Sequence, residues 1–407
     1  MSTITFLGTA ADGPEQTLQG DSPMLGRVGV ELHGERLQWR VDGVESPPSA
    51  GTGIPSAILD RVLRTSSARP PRLRERAITA DQTHTSVIVD ESWVVKIVGL
   101  WGAADRSATV LSRLQASEAS ITPDFAGALA WQHPEHGDSV IALVSAFVPG
   151  SADGWTWAVD DVLAFLEHRA DRPTWPAELG RITGRLHGRL LLPEAEPGGP
   201  ADPRGGDRSR ASHMLERVLD QSNPTSASGR RLHARRPSLT SAIATIPSCS
   251  SSPLLISHGD LHVGQFLRTS SGEYFVIDFD GNPQWTAEQR LAPDGAARDV
   301  AHMMASIDLV AAAVQRRLGR ADDRAWTWSK DAQQDYLGAY LSVADPEWLD
   351  AAALPGYIAE QLLTEIDYAT VHLPAWHYAP DGVISARYPA TTDSSEQAWN
   401  PVASSTT

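Results

Sequence analysis

The sequence predicts an α+β fold, with β-strands concentrated in the first 150 residues and helices in the remainder. Short runs of β-branched and apolar residues, separated by turn signals, recur between residues 27 and 98, and one continuous apolar run spans 139–148. From residue 160 onward, apolar residues recur three and four positions apart, which is the spacing of one helix face. With 407 residues and 41% hydrophobic content, the chain is long enough for a globular protein of two or three domains.

Residues 1–70 are predicted to form a small β-rich cap domain, and residues 71–150 a second, mostly β domain. Turn signals at Gly34-Glu35 and Asp42-Gly43 separate the candidate strands of the cap. The candidate strands lie at 4–7, 27–32, 36–41, 77–79, 85–90, 93–98 and 139–148, and the candidate helices at 57–64 and 104–118.

Residues 151–407 are predicted to form a largely helical domain. Two segments have a composition typical of loops: residues 193–210 are rich in Pro and Gly, and residues 221–253 in Ser, Pro and Arg. The last fifteen or so residues are expected to form a frayed tail. The candidate helices lie at 160–168, 177–192, 211–219, 297–317 and 332–372, and a candidate hairpin at 254–283.

Charge and composition narrow the possible partners. A formal net charge of −16 argues against nucleic acid and anionic membranes, because an acidic surface repels phosphate groups. Cys249 is the only cysteine, so no internal disulfide forms. The first residues lack the pattern of a signal peptide, and no apolar run has the length of a membrane span. We therefore expect a cytoplasmic protein, monomeric or homodimeric, that acts on a small molecule.

The strongest chemical signal lies between residues 258 and 281. The segment His-Gly-Asp-Leu-His-Val-Gly-Gln (258–265) places the Asp260 carboxylate five residues before the Gln265 amide. A short apolar run then leads to Asp278. One carboxylate that orients a hydroxyl, with an amide and a second carboxylate that bind Mg²⁺ through oxygen, is what phosphoryl transfer from ATP requires. Asp280 either joins the metal ligands or caps the turn.

A lysine within an apolar strand adds to this signal. Lys96 lies in the run 93–98, and a buried lysine requires an anionic partner such as the phosphates of ATP. Hydroxyls and backbone N–H groups of Thr83, Thr85 and Ser86, just upstream, are candidates to bind the same phosphates. The backbone of the run 145–147 is a candidate to face adenine, so Ser145 and Phe147 complete the nucleotide-binding candidates.

Two other interpretations remain open at this point. His258, Asp260 and His262 alternate like the ligands of a metal-dependent hydrolase, although that interpretation leaves Gln265 and Asp278 unexplained. A non-catalytic, kinase-like regulator is the second alternative. Under the kinase interpretation, four distant side chains surround one nucleotide: Lys96, Asp260, Gln265 and Asp278.

These segments resemble those of the aminoglycoside-phosphotransferase-type kinases, and within them the maltokinase-like branch. The resemblance is carried by Asp-Gln-Thr-His-Thr-Ser-Val (81–87), Lys96, Phe-Val-Pro (147–149), Asp-Gly-Trp (153–155), the 258–265 segment, Ile-Asp-Phe-Asp-Gly (277–281) and Arg-Asp-Val-Ala (298–301). It implies a two-lobed kinase fold with a small N-terminal cap, ATP and Mg²⁺ as cofactors, and residues 71–150 as the nucleotide-binding lobe. One departure is that residues 104–118 hold no acid in mid-helix to pair with the lysine.

The C-terminal part departs from maltokinases and is similar to that of actinobacterial glucosamine kinases, which implies glucosamine as the acceptor. Maltose and aminoglycosides remain the alternative acceptors. Gln361, Glu365 and Tyr368 share one helix face, where Glu365 is suited to pair with a substrate ammonium, and Trp376 to stack on a sugar ring. Asp299 either orients the catalytic loop or binds substrate. The candidate substrate-binding residues are Asp260, His262, Asp299, Gln361, Glu365 and Trp376.

Overall fold

A computed structural model of the chain describes residues 17–63, 73–78, 84–103, 105–115, 121–192, 207–248, 252–391 and 398–402. The chain divides into two compact units, one of residues 1–151 and 267–291 and the other of residues 152–266 and 292–407. Asp278, which lies two residues after the last strand of the hairpin, therefore belongs to the first unit, although it follows the segment 258–265 in sequence. Within the described ranges, no helix combines the length and the apolar character needed to cross a membrane.

The first unit is built on two sheets. A six-stranded sheet has the order β1-β9-β10-β8-β7-β6, with β1 parallel to β9 and the other pairs antiparallel. A four-stranded antiparallel sheet has the order β2-β3-β4-β5. The strands are β1 (Thr17–Gln19), β2 (Met24–Leu25), β3 (Val28–His33), β4 (Arg36–Val41), β5 (Val44–Glu45), β6 (Glu75–Ala77), β7 (Thr85–Val89), β8 (Trp93–Ile97), β9 (Phe125–His133) and β10 (Gly137–Ala146).

One hydrophobic core connects these sheets. Trp39 of β4, Ile58 of α1 (Ile54–Leu63), Val95 of β8 and Trp131 of β9 belong to one cluster of buried side chains. Helix α2 (Asp105–Gln115) contacts β9 and β10. The strand that carries Lys96 is thus fixed between neighbours on both sides, which limits how far its side chains can move.

The second unit is mainly helical and is organised around α9 (Ala296–Leu318). Most of α9 is buried, and it contacts α3, α10, α11 and α12. The other elements of this unit are β11 (Ala152–Asp153), α3 (Gly154–Leu166), α4 (Trp175–Leu190), α5 (Asp207–Gln221), α6 (Ala227–Ala234), α7 (Arg236–Ile243), α10 (Asp323–Leu341), α11 (Leu354–Val371) and α12 (Tyr378–Arg387). Strands β12 (Phe266–Arg268) and β13 (Tyr274–Val276) form the hairpin through which the chain returns to the first unit, where α8 (Ala287–Leu291) follows.

The predicted α+β class, with a β-rich N-terminal part and a helical C-terminal part, is confirmed. Three details were wrong. Residues 221–253, predicted as a loop, contain α6 and α7, which begin with a Ser226 side-chain cap and a Pro at the first turn. The predicted helix 332–372 is broken between α10 and α11. Within the expected tail, Trp399 is ordered, because its indole donates to Tyr378 O at 3.0 Å.

The candidate strand 4–7 and most of the 193–210 loop lie outside the described residues. The division into three domains at residues 70 and 150 stays a prediction.

Candidate active site

Lys96 is the centre of a charged cluster in the first unit. Its Nζ lies 2.7 Å from Asp278 Oδ1 and 2.5 Å from Asp280 Oδ2. Burial opposes the charged amine, but the two carboxylates raise the pKa of Lys96 above its usual value. Lys96 also lies directly opposite Ser86 in the β7–β8 pair, so their side chains share one face of the sheet.

The two carboxylates on Lys96 differ in their surroundings. Asp280 is 12% exposed, lies 3.0 Å from His84 Nε2 and accepts a hydrogen bond from Ser107 Oγ. Burial alone would raise the pKa of Asp280, but Lys96 and His84 lower it. Asp278 is 43% exposed, and its backbone is left-handed with φ of 64°, a strained conformation for a non-glycine residue. Asp278 is therefore the more accessible carboxylate.

In the second unit, side chains on one face of α9 accept hydrogen bonds from the backbone of the catalytic loop, residues 258–265. Asp299 accepts hydrogen bonds from the backbone N–H of His258 at 2.6 Å and of Gly259 at 2.9 Å. Seven residues later, Ser306 Oγ accepts from Val263 N–H at 3.1 Å. These contacts bracket Asp260, so α9 fixes the backbone on both sides of the candidate base.

A buried chain of side chains supports Asp299. The Nε2 atom of His187, on α4, lies 3.3 Å from Asp299 Oδ2, and its Nδ1 atom lies 3.0 Å from Tyr340 OH. Burial would raise the pKa of Asp299, but the hydrogen bond from His187 and the Gly259 amide lower it. Asp299 therefore stays ionised and holds the loop.

Two imidazoles flank the Asp260 carboxylate. His302 Nδ1 lies 3.8 Å from Oδ1, and His262 Nε2 lies 3.9 Å from Oδ2. Burial lowers the pKa of His262 to about 3 and also lowers that of His302, so both rings are neutral at pH 7. The two neutral rings therefore adjoin the Asp260 carboxylate without placing a positive charge beside it, which suits a base.

An aromatic bridge connects the catalytic loop to the candidate sugar site within the second unit. The Trp155 ring stacks on His262 with 5.9 Å between centroids and meets Trp376 edge-on at 5.5 Å. Trp376 Nε1 in turn donates to Glu365 Oε2 at 3.2 Å. Burial raises the pKa of Glu365, although its hydrogen bonds to Trp376 and Gln361 oppose the rise. A carboxylate beside aromatic rings is suited to an aminated sugar.

Two glycines allow this close packing. A Cβ on Gly154 would lie 1.7 Å from Val263 O, and one on Gly264 would lie 2.6 Å from Trp155 Nε1. Only glycine permits α3 and the catalytic loop to approach this closely.

The structure brings most predicted site residues together in two groups. Lys96, Thr85, Ser86 and Asp278 lie in the first unit, and Asp260, His262, Gln265, Gln361, Glu365 and Trp376 in the second. Gln265 is buried, with its Nε2 3.3 Å from His262 Nε2. Thr83 lies outside the described residues.

Hydrogen bonds within the protein restrict two of the predicted roles. Phe147 N–H donates to Ser92 O at 2.8 Å, and Ser145 pairs with Val94 within the sheet, because β10 continues its pairing up to this point. The Phe147 N–H is therefore engaged within the protein and does not donate to adenine, and the expectation that the backbone of 145–147 faces adenine through its other groups stays a prediction. Asp299 is 1% exposed and bound to backbone, so it orients the loop and does not contact substrate.

Sequence reasoning missed several residues. His84 and Ser107 hold Asp280, and Trp155 and His302 adjoin the catalytic loop. His84 and Trp155 lie inside the segments that carry the family resemblance, so the resemblance could have indicated them as site residues. Ser107 and His302 are ordinary helix residues with no local signal.

The alternative of a metal-dependent hydrolase loses its basis in the described part of the chain. His262 Nδ1 accepts from Gly264 N–H at 3.0 Å, and His258 Nδ1 lies 3.3 Å from the Asp260 N, so both rings are turned to the backbone. Among the described residues, no group of three or more His, Cys, Asp and Glu side chains is arranged to hold a metal ion.

No protein-family model matches the chain. The chain is 35% identical over 325 residues to a glucosamine kinase of Mycolicibacterium smegmatis, which covers 77% of this chain and 79% of that protein. It is 34% identical over 387 residues to a glucosamine kinase of Streptacidiphilus jiangxiensis, with 87% and 86% covered.

Solved structures agree with the sequence relatives. A glucosamine kinase structure has a TM-score of 0.72 at 29% identity, covering 90% of this chain and 91% of that chain. A glucosamine kinase in complex with glucosamine, ADP and inorganic phosphate has a TM-score of 0.70 at 29% identity, with 89% and 94% covered. The predicted resemblance is confirmed in both sequence and fold.

Proposed function

Since the chain belongs to the glucosamine kinase family, we propose that it transfers the γ-phosphoryl group of ATP to a hydroxyl of glucosamine, giving glucosamine 6-phosphate. One relative was solved with glucosamine, ADP and inorganic phosphate, which are the sugar substrate and fragments of the nucleotide. Within this chain, one observation supports an amino sugar most strongly. The loop of Asp260 is connected to the partly buried Glu365 carboxylate through His262, Trp155 and Trp376.

Asp260 acts as the base in this proposal. It accepts the proton of the attacking hydroxyl, and the adjacent neutral His262 and His302 rings add no positive charge that would reduce its basicity. Asp299 and Ser306 hold the backbone on either side of it, so the carboxylate reaches the hydroxyl in a fixed orientation.

Glu365 and Trp376 select the acceptor. A carboxylate that burial has made costly to ionise gains most from an ammonium partner, because the pair restores the charged form. The Trp376 and Trp155 rings provide apolar surface for the C–H face of a sugar.

Lys96 and Asp278 serve the nucleotide. The Lys96 amine offsets negative charge on the phosphates. The Asp278 carboxylate fits Mg²⁺, because it is a hard oxygen ligand, is 43% exposed and leaves coordination positions for phosphate and water. Gln265 is the second proposed ligand, through its amide oxygen. When bound, Mg²⁺ would neutralise charge on the transferring phosphoryl group.

A coupled ADP-release screen with Mg-ATP tests this proposal. The sugars are glucosamine, glucose, N-acetylglucosamine, maltose and kanamycin, and we expect the highest kcat/KM with glucosamine. Asp260→Asn should lower kcat by about 100-fold or more while ATP still binds. Preferred turnover of maltose or kanamycin would overturn the substrate, and full turnover by the Asn variant would remove Asp260 as the base.

A further inference from the structure

The lysine of the nucleotide site lacks the helix carboxylate that a protein-kinase-type site would offer it. Helix α2 follows the Lys96 strand, and its sequence contains a single acid, Asp105. The Asp105 Oδ1 atom accepts a hydrogen bond from Val140 N–H at 2.6 Å, which directs it to β10. Another group must therefore fix Lys96.

Asp280 is the group that fixes Lys96. Its carboxylate joins three elements of the first unit, since it contacts Lys96 of β8, Ser107 of α2 and His84 just before β7. Helix α2 thus reaches the lysine indirectly, because the Ser107 hydroxyl donates to the same carboxylate that binds the amine.

Asp278 has a different environment, although it also contacts Lys96. It is 43% exposed against 12% for Asp280, and it lies on a left-handed backbone. A largely buried carboxylate with two hydrogen-bond donors and an imidazole at 3.0 Å is expensive to move, because each of these groups would lose its partner. An exposed carboxylate that has one ion-pair partner within the described residues exchanges more readily.

We propose that Asp280 is the permanent counter-ion and positioning residue of Lys96, and that Asp278 is its exchangeable partner, left free to turn toward a metal ion. This role of Asp280 is neither of the two that the sequence suggested, a metal ligand or a turn cap. It deepens the proposed kinase function and rests on it, since it assigns how the phosphate-binding amine is held.

The lysine content of the chain allows a direct test. Lys96 and Lys330 are the only lysines in the sequence, and Lys330 is exposed, so it serves as an internal reference. Metal-free, nucleotide-free protein is treated with an acetylating reagent, and peptide mass spectrometry gives the rate at Lys96 relative to Lys330. In Asp280→Asn we expect this ratio to rise about tenfold, equivalent to about 1.4 kcal/mol less stabilisation of the bound ammonium.

Two further variants sharpen the test. Ser107→Ala removes one donor to Asp280 and should raise the ratio by a smaller factor, and it carries the test alone if Asp280→Asn does not fold. Glu91→Gln removes a carboxylate that pairs with Arg76 on the protein surface, and it should leave the ratio unchanged.

A ratio in Asp280→Asn equal to that of the wild type would overturn the proposal, as would an unchanged ratio in Ser107→Ala if that variant has to stand alone. The labelling requires no turnover. Its outcome is therefore independent of whether glucosamine is the acceptor.

Discussion

Replacing Asp299 by Asn tests how the catalytic loop is held. The Asp299 carboxylate accepts hydrogen bonds from two consecutive backbone N–H groups, at 2.6 and 2.9 Å, immediately before Asp260. Asn removes the charge and turns an NH₂ group toward one of these donors. A buried N–H is then left unsatisfied, and the loop loses its register on α9.

The expected loss of unfolding free energy follows from these two hydrogen bonds. A hydrogen bond to a buried charged acceptor contributes about 1.5 to 3 kcal/mol. Weakening one and breaking the other should cost about 3 kcal/mol of unfolding free energy. We also expect kcat to fall by about 100-fold, because the base loses its orientation.

Lowering the pH should reduce the difference in unfolding free energy between wild type and Asp299→Asn. The pKa of Asp299 is lowered in the folded state, so its stabilisation is complete above the unfolded pKa of about 3.9 and is lost as the pH falls further. The free-energy gap between wild type and Asp299→Asn should therefore be constant from pH 5 to 8 and narrow below about pH 4.

Urea unfolding of both proteins across this pH range measures the gap. Asp160→Asn is the matched control, because Asp160 pairs with Arg317 at an exposed position and should cost less than about 1 kcal/mol. If Asp299→Asn were no less stable than the control and retained full kcat, the loop would not depend on α9.

Other changes test the sugar site. Glu365→Gln should raise the KM for glucosamine by about 10- to 100-fold, through loss of one charged hydrogen bond, and leave the KM for glucose unchanged. Because burial raises the pKa of Glu365, ionisation at neutral pH costs stability, so the Gln variant should be at least as stable as wild type in thermal unfolding at pH 7. Equal increases in both KM values would contradict the ammonium pairing. Gly264→Ala should lower kcat/KM by about tenfold or more in steady-state assays, since its Cβ would lie 2.6 Å from Trp155 Nε1. Unimpaired turnover would show that the Trp155 contact is unimportant.

The local motifs predicted the parts of the site that depend on sequence-adjacent residues. The segment 258–265 and the strand before Asp278 fixed the candidate base and metal ligands, because their chemistry lies within one loop and one hairpin. The apolar neighbours of Lys96 likewise predicted a strand, which β8 confirms, with Val95 and Ile97 buried. Periodicity identified α9, whose apolar residues recur at helical spacing.

The remainder depends on contacts between residues distant in sequence. The hydrogen bond between Ser107 and Asp280 joins residues 173 positions apart, and no pattern in the sequence of α2 predicts it. The hydrogen bond from Phe147 N–H to Ser92 O was not predicted, because periodicity identifies a buried strand but not the partner of each of its amides. Helices α6 and α7 were missed because Ser, Pro and Arg are also typical of loops, and only their caps and burial against neighbours favour a helix.

Phosphorus NMR of the purified protein with Mg-ATP and glucosamine tests the proposed reaction most directly. We expect a sugar phosphomonoester signal to grow in equal amount with ADP, and Asp260→Asn to yield neither. Release of inorganic phosphate without a sugar phosphate, or equal product from the Asn variant, would contradict the proposed transfer from ATP to a sugar hydroxyl activated by Asp260.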